Sequence, residues 1–473
     1  MKKLLSAILA ATMLLSLAGC SGSENTSATS GGETSTSATD NISAADSSSS
    51  ADAGSTAPTD TELPILSNPV KMTEEGDIDM TVALQYETDF DALIESFNAK
   101  EIDPSKPVSE NSNEATLGVF NYLRSIYGKQ MISAQQMMGN QCYEDIVYYN
   151  ATGDLPAMKG YDFIFCVGSA IDDSMVDEAI EWYKESGGLA CFTWHWNVPR
   201  DIDKPDNGTA FYQEDITNFS ALNAVTPGTK EYEQVIHDID VVASKIQRME
   251  SEGMTIIFRP LHEASGKWFW WGMMDKDYVK NEIFQKLWYM IYDRMENYHK
   301  LTNIIWAWNG QSTFCAVHPN SYDIVGIDYY ANSEDHTACV SQYENTQSFN
   351  EACYTKYLGD DYVLDEEPYE GKMLALTECG YIPDPQQCAD TGCMWLYYMI
   401  WNGDFVYEAS GGGAPITSID GTPKPNTERM TNEMLVEYFG NDVMITYRDL
   451  PAEYLEGKDI PQGIKTWEYF KMD

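Results

Sequence analysis

From about residue 112 onward, short apolar runs alternate with stretches in which apolar side chains recur every three or four positions. The runs QMISAQQ (130–136), DFIFCVG (162–168), LACFTWHW (189–196), TIIFRPLHE (255–263), NIIWAWNG (303–310), DIVGIDYY (323–330), MLALTECG (373–380) and MWLYYMIW (394–401) predict strands. Their near-continuous apolar character suits strands covered on both faces. Between them, SMVDEAIEWYKESGG (174–188) and TKEYEQVIHDIDVVASKIQRMESEG (229–253) have helical periodicity, and the first ends in glycines that stop a helix. Eight strands alternating with helices predict an α/β chain folded as a closed (β/α)8 TIM barrel. A doubly wound open sheet would share the alternation, but no glycine-rich phosphate loop follows the first strand.

The flanks follow other patterns. MKKLLSAILAATMLLSLAGC (1–20) places two lysines before an apolar stretch and small residues before Cys20. It resembles a bacterial lipoprotein signal, which implies a leader over 1–19, lipid on Cys20 and an exported protein held at the outer face of the cell membrane. Residues 20–62 are mostly Ser, Thr, Ala, Gly and Asp and offer almost no apolar surface to offset ordering, so they read as a disordered tether. Residues 63–111 hold one short helical stretch, DFDALIESFNAK, and a connecting stretch, DPSKPVSENSN. They are either a strap across the bottom of the barrel or a poorly ordered lead-in to a catalytic domain over 112–473. After residue 430, NEMLVEYFGNDVMITYRDLP predicts a helix and then an extended segment. Nothing beyond the leader is long and apolar enough to cross a bilayer.

The formal charge of −45 repels nucleic acid and anionic headgroups, so neither is expected as a partner. Neutral ligands remain compatible, and 12 Trp and 30 Tyr supply ring faces of the kind that bind sugars or fill large cores. With Cys20 lipidated, nine of the ten cysteines remain, an odd number that cannot all pair within the chain. Cys166 and Cys191 sit in apolar runs as small hydrophobes, whereas Cys388 and Cys393 could pair across PQQCADTGC. The lack of a CxxC pair argues against structural zinc.

Chemistry concentrates in FRPLHEASGKWFWWG (258–272). His-Glu opens the metalloprotease helix motif, but the position of the second histidine is Gly266, so no metal or other cofactor is expected. Several predicted strands end in polar or aromatic residues: Gln135, His195, Glu263, Asn309, Tyr330, Glu378 and Trp401. In a barrel these ends converge on one mouth, where active sites lie. Glu263 and Glu378 would face each other there, and carboxyls ~5–5.5 Å apart are what a retaining glycosidase uses as proton donor and nucleophile. The blander reading makes Glu263 an ion-pair partner of Arg259 and the histidines structural. Trp268, Phe269, Trp270 and Trp271 are consecutive, so one face cannot bury them all and some should line the cleft.

RPLHE followed by GKWFWWG, with WHW on the third strand, DIVGIDYY on the sixth and LALTECG on the seventh, resembles glycoside hydrolase family 26, typified by endo-β-1,4-mannanases, over about residues 112–445. The resemblance implies Glu263 as general acid/base and Glu378 as nucleophile. It places His262 beside the acid and the sugar, Tyr330 in a hydrogen bond to the nucleophile, Trp268 and Trp401 as sugar platforms, and His195 next to the scissile subsite. Ala264-Ser265 stand where the family mostly has Met-Asn, which weakens inference about neighbouring subsites. It further implies a monomer acting on β-mannan, with mixed-linkage β-glucan or β-1,3-xylan as alternatives. In such a mechanism Glu263 should have a raised pKa, and Glu378 should stay ionised. A non-catalytic sugar-binding lipoprotein would share the acidity and aromatics, but would fold as two hinged lobes.

Overall fold

Eight parallel strands close on themselves: β1 (Met131–Gln136), β2 (Met158–Asp162), β3 (Leu189–Thr193), β4 (Ile256–Arg259), β5 (Ile304–Trp308), β6 (Ile324–Tyr329), β7 (Met373–Cys379) and β8 (Tyr397–Ile400). Closure is made by β8 on β1, with Ile132 opposite Tyr397 and Gln135 opposite Ile400. The computed structural model describes residues 67–138, 142–272, 278–331, 333–359, 369–410, 414–419 and 421–466. The expected leader, Cys20 and the tether to residue 62 lie outside these described residues.

Helix α1 (Glu114–Ile126) leads into β1, and α2 (Tyr143–Thr152), α3 (Ser174–Ser186), α4 (Lys230–Ser251) and α5 (Tyr278–Asp293) follow β1 to β4 in turn. Only short 3-10 turns follow β5, and α6 (His336–Leu358), α7 (Pro385–Thr391) and α8 (Asn432–Phe439) follow β6, β7 and β8. The boundaries of α3 and α4 have local causes. Gly187, at φ 72°, ends α3 in the left-handed conformation that glycine adopts without strain. Thr229 starts α4 by accepting the Tyr232 N–H. The result is the (β/α)8 barrel that the apolar pattern predicts, a closed cylinder and not a pair of hinged lobes.

The second strand is a correction. The apolar run DFIFCVG (162–168) predicts it, but β2 is MKGYD, and the two share only Asp162. Lys159 hides this strand from a hydropathy reading. Its side chain is buried and bonded to Asp145 of α2 at 2.6 Å, so a charge occupies a core position with its partner. The run at 163–168 instead forms the turn above the strand.

The described parts of the flanks, from residue 67 to 113 and after residue 430, are bound to the barrel. The short helix Phe90–Asn98 buries Leu93 and Phe97. The Ser67 hydroxyl donates to Glu250 at 2.5 Å, the Val108 N–H to Asp323 at 2.8 Å and the Ser109 hydroxyl to Glu296 at 2.6 Å. Asp323 immediately precedes β6, and Asn113 donates its N–H to Thr302 just before β5, so this stretch crosses the N-terminal ends of those strands. At the other terminus, Met444–Ile445 pairs with Met131 and Ile132 of β1, below the level at which β2 begins pairing at Ala134. The tail thereby fills the lower seam between β1 and β2.

Candidate active site

Arg259, the last residue of β4, is fully enclosed at the C-terminal end of the barrel. One guanidinium nitrogen donates to Asp328 at 2.9 Å and another to Glu378. Glu378 lies near the end of β7, and its second oxygen accepts the Tyr330 hydroxyl at 2.7 Å. Asp328, on β6, also accepts the Asn309 amide at 2.7 Å and the Thr377 hydroxyl at 2.6 Å. Arg259 is thus the ion partner of Glu378 and Asp328, and the blander reading that pairs it with Glu263 is not what forms.

Glu263 reaches the same place by another route. The chain leaves β4 at Arg259 and turns through Leu261 (φ 54°) and Glu263 (φ 53°), both left-handed although neither is glycine. Such strain persists only where the surroundings over-determine it. Here the Glu263 N–H is held by the Asn309 carbonyl at 2.9 Å and the Ser265 N–H by that of Gly310 at 3.0 Å. The Trp268 indole donates to the Glu263 carboxylate at 2.7 Å. One carboxylate oxygen from each of Glu263, Asp328 and Glu378 lies within 4.8 Å of the other two. The donor set could attract a hard cation, but the Arg259 guanidinium already bonds two of its three members.

The histidines form a relay beside this trio. Asp162, closing β2, accepts both the backbone N–H of His195 at 2.9 Å and its Nδ1 at 2.5 Å. His195 Nε2 meets His262 Nε2 at 3.2 Å, and His262 Nδ1 meets the Thr193 hydroxyl at 3.1 Å. A carboxylate on Nδ1 fixes the orientation of the His195 ring. Burial, with help from His195 and Arg259, holds His262 well below the ordinary histidine value, so it is neutral.

Of the four consecutive rings, Phe269, Trp270 and Trp271 are buried, while Trp268 keeps partial exposure. A Cβ on Gly266 would meet the Trp268 ring at 2.4 Å, so that glycine makes room for it. Trp401 is only 3% exposed and stands edge-on to His195, with centroids 6.0 Å apart. It therefore presents far less face than Trp268. Gln135 is tied into the fold by the Tyr148 hydroxyl, which donates to its side-chain oxygen at 2.9 Å. Two aromatics escaped the sequence reading. Tyr212 stacks on Phe269 with centroids 5.7 Å apart, and the Trp270 N–H donates to the Phe211 carbonyl at 3.1 Å, binding the long 197–215 loop to the tryptophan-rich turn. No strand-end signal marks either residue. Asp162 was missed as an orienting carboxylate because its strand was misplaced.

The two glutamates are not equivalent electrostatically. Burial, followed by the charges of Asp328 and Glu378, holds the Glu263 carboxyl well above the ordinary value. Burial and Asp328 also push Glu378 up, to about 7, but Arg259, His195 and the Tyr330 hydrogen bond pull against them. Of the pair, Glu263 therefore holds its proton more tightly, and Glu378 is the member that ionises first. One protonated and one ionised carboxyl at this separation can protonate a leaving oxygen and attack the carbon it leaves.

The signature of glycosyl hydrolase family 26 matches residues 108–410. Mannan endo-1,4-beta-mannosidase B of Piromyces sp is 35% identical over 357 residues, covering 73% of this chain and 53% of that relative, so the chain spans about half its length. Among solved structures, a ruminal GH26 endo-beta-1,4-mannanase superposes with a TM-score of 0.59 at 25% identity, covering 75% of this chain and 72% of that one. The Podospora anserina GH26-CBM35 beta-(1,4)-mannanase gives 0.59 at 25% identity, over 75% and 70%.

Proposed function

Since the chain belongs to glycosyl hydrolase family 26, we propose that it is a retaining endo-glycosidase that cleaves β-1,4-mannosidic bonds in mannan, glucomannan or galactomannan. The observation that carries this reading is the approach of a Glu263 oxygen to a Glu378 oxygen within 4.8 Å, and the stronger upward push on the Glu263 carboxyl supports it as the proton donor. The names of the Piromyces and ruminal relatives support the choice of polymer.

In the proposed cycle a Glu378 oxygen attacks the anomeric carbon while Glu263 gives its proton to the departing glycosidic oxygen. A glycosyl ester forms on Glu378 as the sugar–oxygen bond breaks. Glu263, now a carboxylate, takes a proton from water, whose oxygen attacks the same carbon and frees Glu378 with net retention. Arg259 and Tyr330 orient Glu378 and keep it anionic. His262 and His195 occupy the floor beside Glu263, Trp268 offers a ring face to a pyranose, and Trp401 contributes an edge. The proposal includes the lipid anchor at Cys20 and a cell-surface location, where export would bring the monomer to polymeric substrate.

A reducing-sugar assay on locust bean gum, barley β-glucan and β-1,3-xylan in parallel tests the reading. Release from the gum at the highest kcat/KM, with products of mixed length, is expected. Faster release from either other polymer overturns the substrate assignment. No release from any of the three removes the hydrolase reading for these polymers.

A further inference from the structure

Away from the two glutamates, α6 and α7 bring four metal-ligating side chains together. His336 and Cys339 lie one turn apart in the first turn of α6, and the i, i+3 spacing puts them on one face. Cys388 is in α7, and Gly392 at φ 74° ends that helix so that the Cys393 N–H returns to the Cys388 carbonyl at 3.1 Å. One ligand atom from each of the four lies within 4.8 Å of the other three. A tetrahedral zinc with Zn–S bonds of ~2.3 Å places its ligand atoms ~3.8 Å apart, so the cluster needs only a small contraction.

The surroundings are those of a ligand set. All of these cysteines are free thiols in the structure, so the pairing of Cys388 with Cys393 that the sequence allows is not made. The Thr391 hydroxyl donates its one hydrogen to the Gln387 carbonyl at 2.7 Å, so toward His336 Nε2, at 3.0 Å, it accepts. That fixes the proton on Nε2. It leaves Nδ1, a buried nitrogen with no hydrogen-bond partner, with its lone pair for a metal. The Trp395 indole donates to Cys339 Sγ at 3.3 Å, a contact that stabilises a thiolate more than a thiol.

We propose that His336, Cys339, Cys388 and Cys393 bind one structural zinc ion. The CxxC signature that would announce such a site is replaced by HxxC on one helix and a five-residue step around the end of another. Three thiolates and one neutral imidazole suit a soft, tetrahedral d10 ion, and zinc needs no redox partner. Each thiol loses its proton to solvent on binding. The site clamps α6 to α7, the helices that follow β6, which ends just before Tyr330, and β7, which carries Glu378, and so it fixes the loops between them. It includes none of the residues that surround the two glutamates, and its role is positional.

The test uses tag-free full chain purified without chelator. Elemental analysis should find about one zinc per chain, lost in Cys388→Ser and in His336→Gln, with melting temperature lowered in both and by chelator in the wild type. In alkylation followed by mass spectrometry, Cys339, Cys388 and Cys393 should react only after chelator and denaturant, and all three as free thiols. Wild-type protein that carries no zinc when refolded with one equivalent of it overturns the proposal. So does a disulfide between any two of the three, or zinc retained by both variants. Because metal content and alkylation are read without substrate, an inactive but zinc-bearing chain would fail the glycosidase reading and leave this one standing.

Discussion

At the scale of single residues, the two carboxyls make separable predictions. Glu378→Ala should abolish turnover of mannan while oligosaccharide binding, followed by calorimetry, is largely kept; undiminished hydrolysis would end the nucleophile assignment. Glu263→Ala should lower kcat on polymer by about 10²–10⁴-fold and affect aryl glycosides with good leaving groups much less, since their departure needs no proton. Equal losses on both substrates would remove the acid role. Tyr330 offers a finer probe. Its hydroxyl donates to Glu378 and lowers that carboxyl's pKa, so Tyr330→Phe should move the acid limb of the kcat/KM profile to higher pH. An acid limb that stays or moves down would show that the hydroxyl does not tune Glu378. Glu263, Glu378 and Tyr330 were legible because a barrel gathers strand ends at one mouth. The partners of Arg259 and the role of Asp162 were not. Which carboxylate a buried guanidinium chooses depends on the tilt of three strands, and no linear spacing encodes that.

At the scale of elements, hydropathy read seven strands correctly and failed at β2, where a paired Lys159 broke the apolar run. The turn after β4 was legible as aromatic and glycine-bounded, but its strained path through Leu261 and Glu263 was not. That turn carries a prediction through Gly266. A methyl group there would sit 2.4 Å from the Trp268 ring, and the ring cannot yield without breaking its 2.7 Å hydrogen bond to Glu263. Gly266→Ala should therefore cut kcat at least tenfold, with far-UV circular dichroism unchanged and the alkaline limb of the pH profile displaced. Full activity in this variant would mean that Trp268 does not hold the acid. Helices α3 and α4 could be bounded from their glycine and threonine ends because those signals are local. The cysteine and histidine cluster could not be found that way, since its ligands come from two helices separated by β7.

At the scale of the whole chain, the lead-in and the tail resisted reading because their bonds are made to distant residues: Ser67 to Glu250, Ser109 to Glu296, Met444 beside Met131. What the sequence does carry at this scale is acid, and the fold buries some of it. Burial pushes Glu144 and Glu296 up to about 7 and Glu178 to about 8 from an ordinary value of 4.5. Across neutrality the folded chain therefore holds protons that the unfolded chain has released, and stability falls as pH rises through those values. His237 acts in the same direction: burial opposes its charge, but Asp238 and Asp77 push it up to about 9 from 6.5. His262 and His318, lowered by burial, oppose this trend only below their ordinary 6.5. Above that pH every one of these contributions has one sign. In protein freed of zinc by chelator, where thiolate ligation adds no rise of its own with pH, the melting temperature at fixed ionic strength should decline from about pH 6.5 to 9. Glu178 is the sharpest test, because both of its oxygens are buried without a hydrogen-bond partner. Glu178→Gln should flatten the decline by a few degrees at pH 9 and change little at pH 5, where the native carboxyl is protonated and no charge is buried. A melting temperature that rises toward alkaline pH, or a variant that parallels the wild type throughout, would show that the buried acids ionise in the folded chain as easily as they do in water.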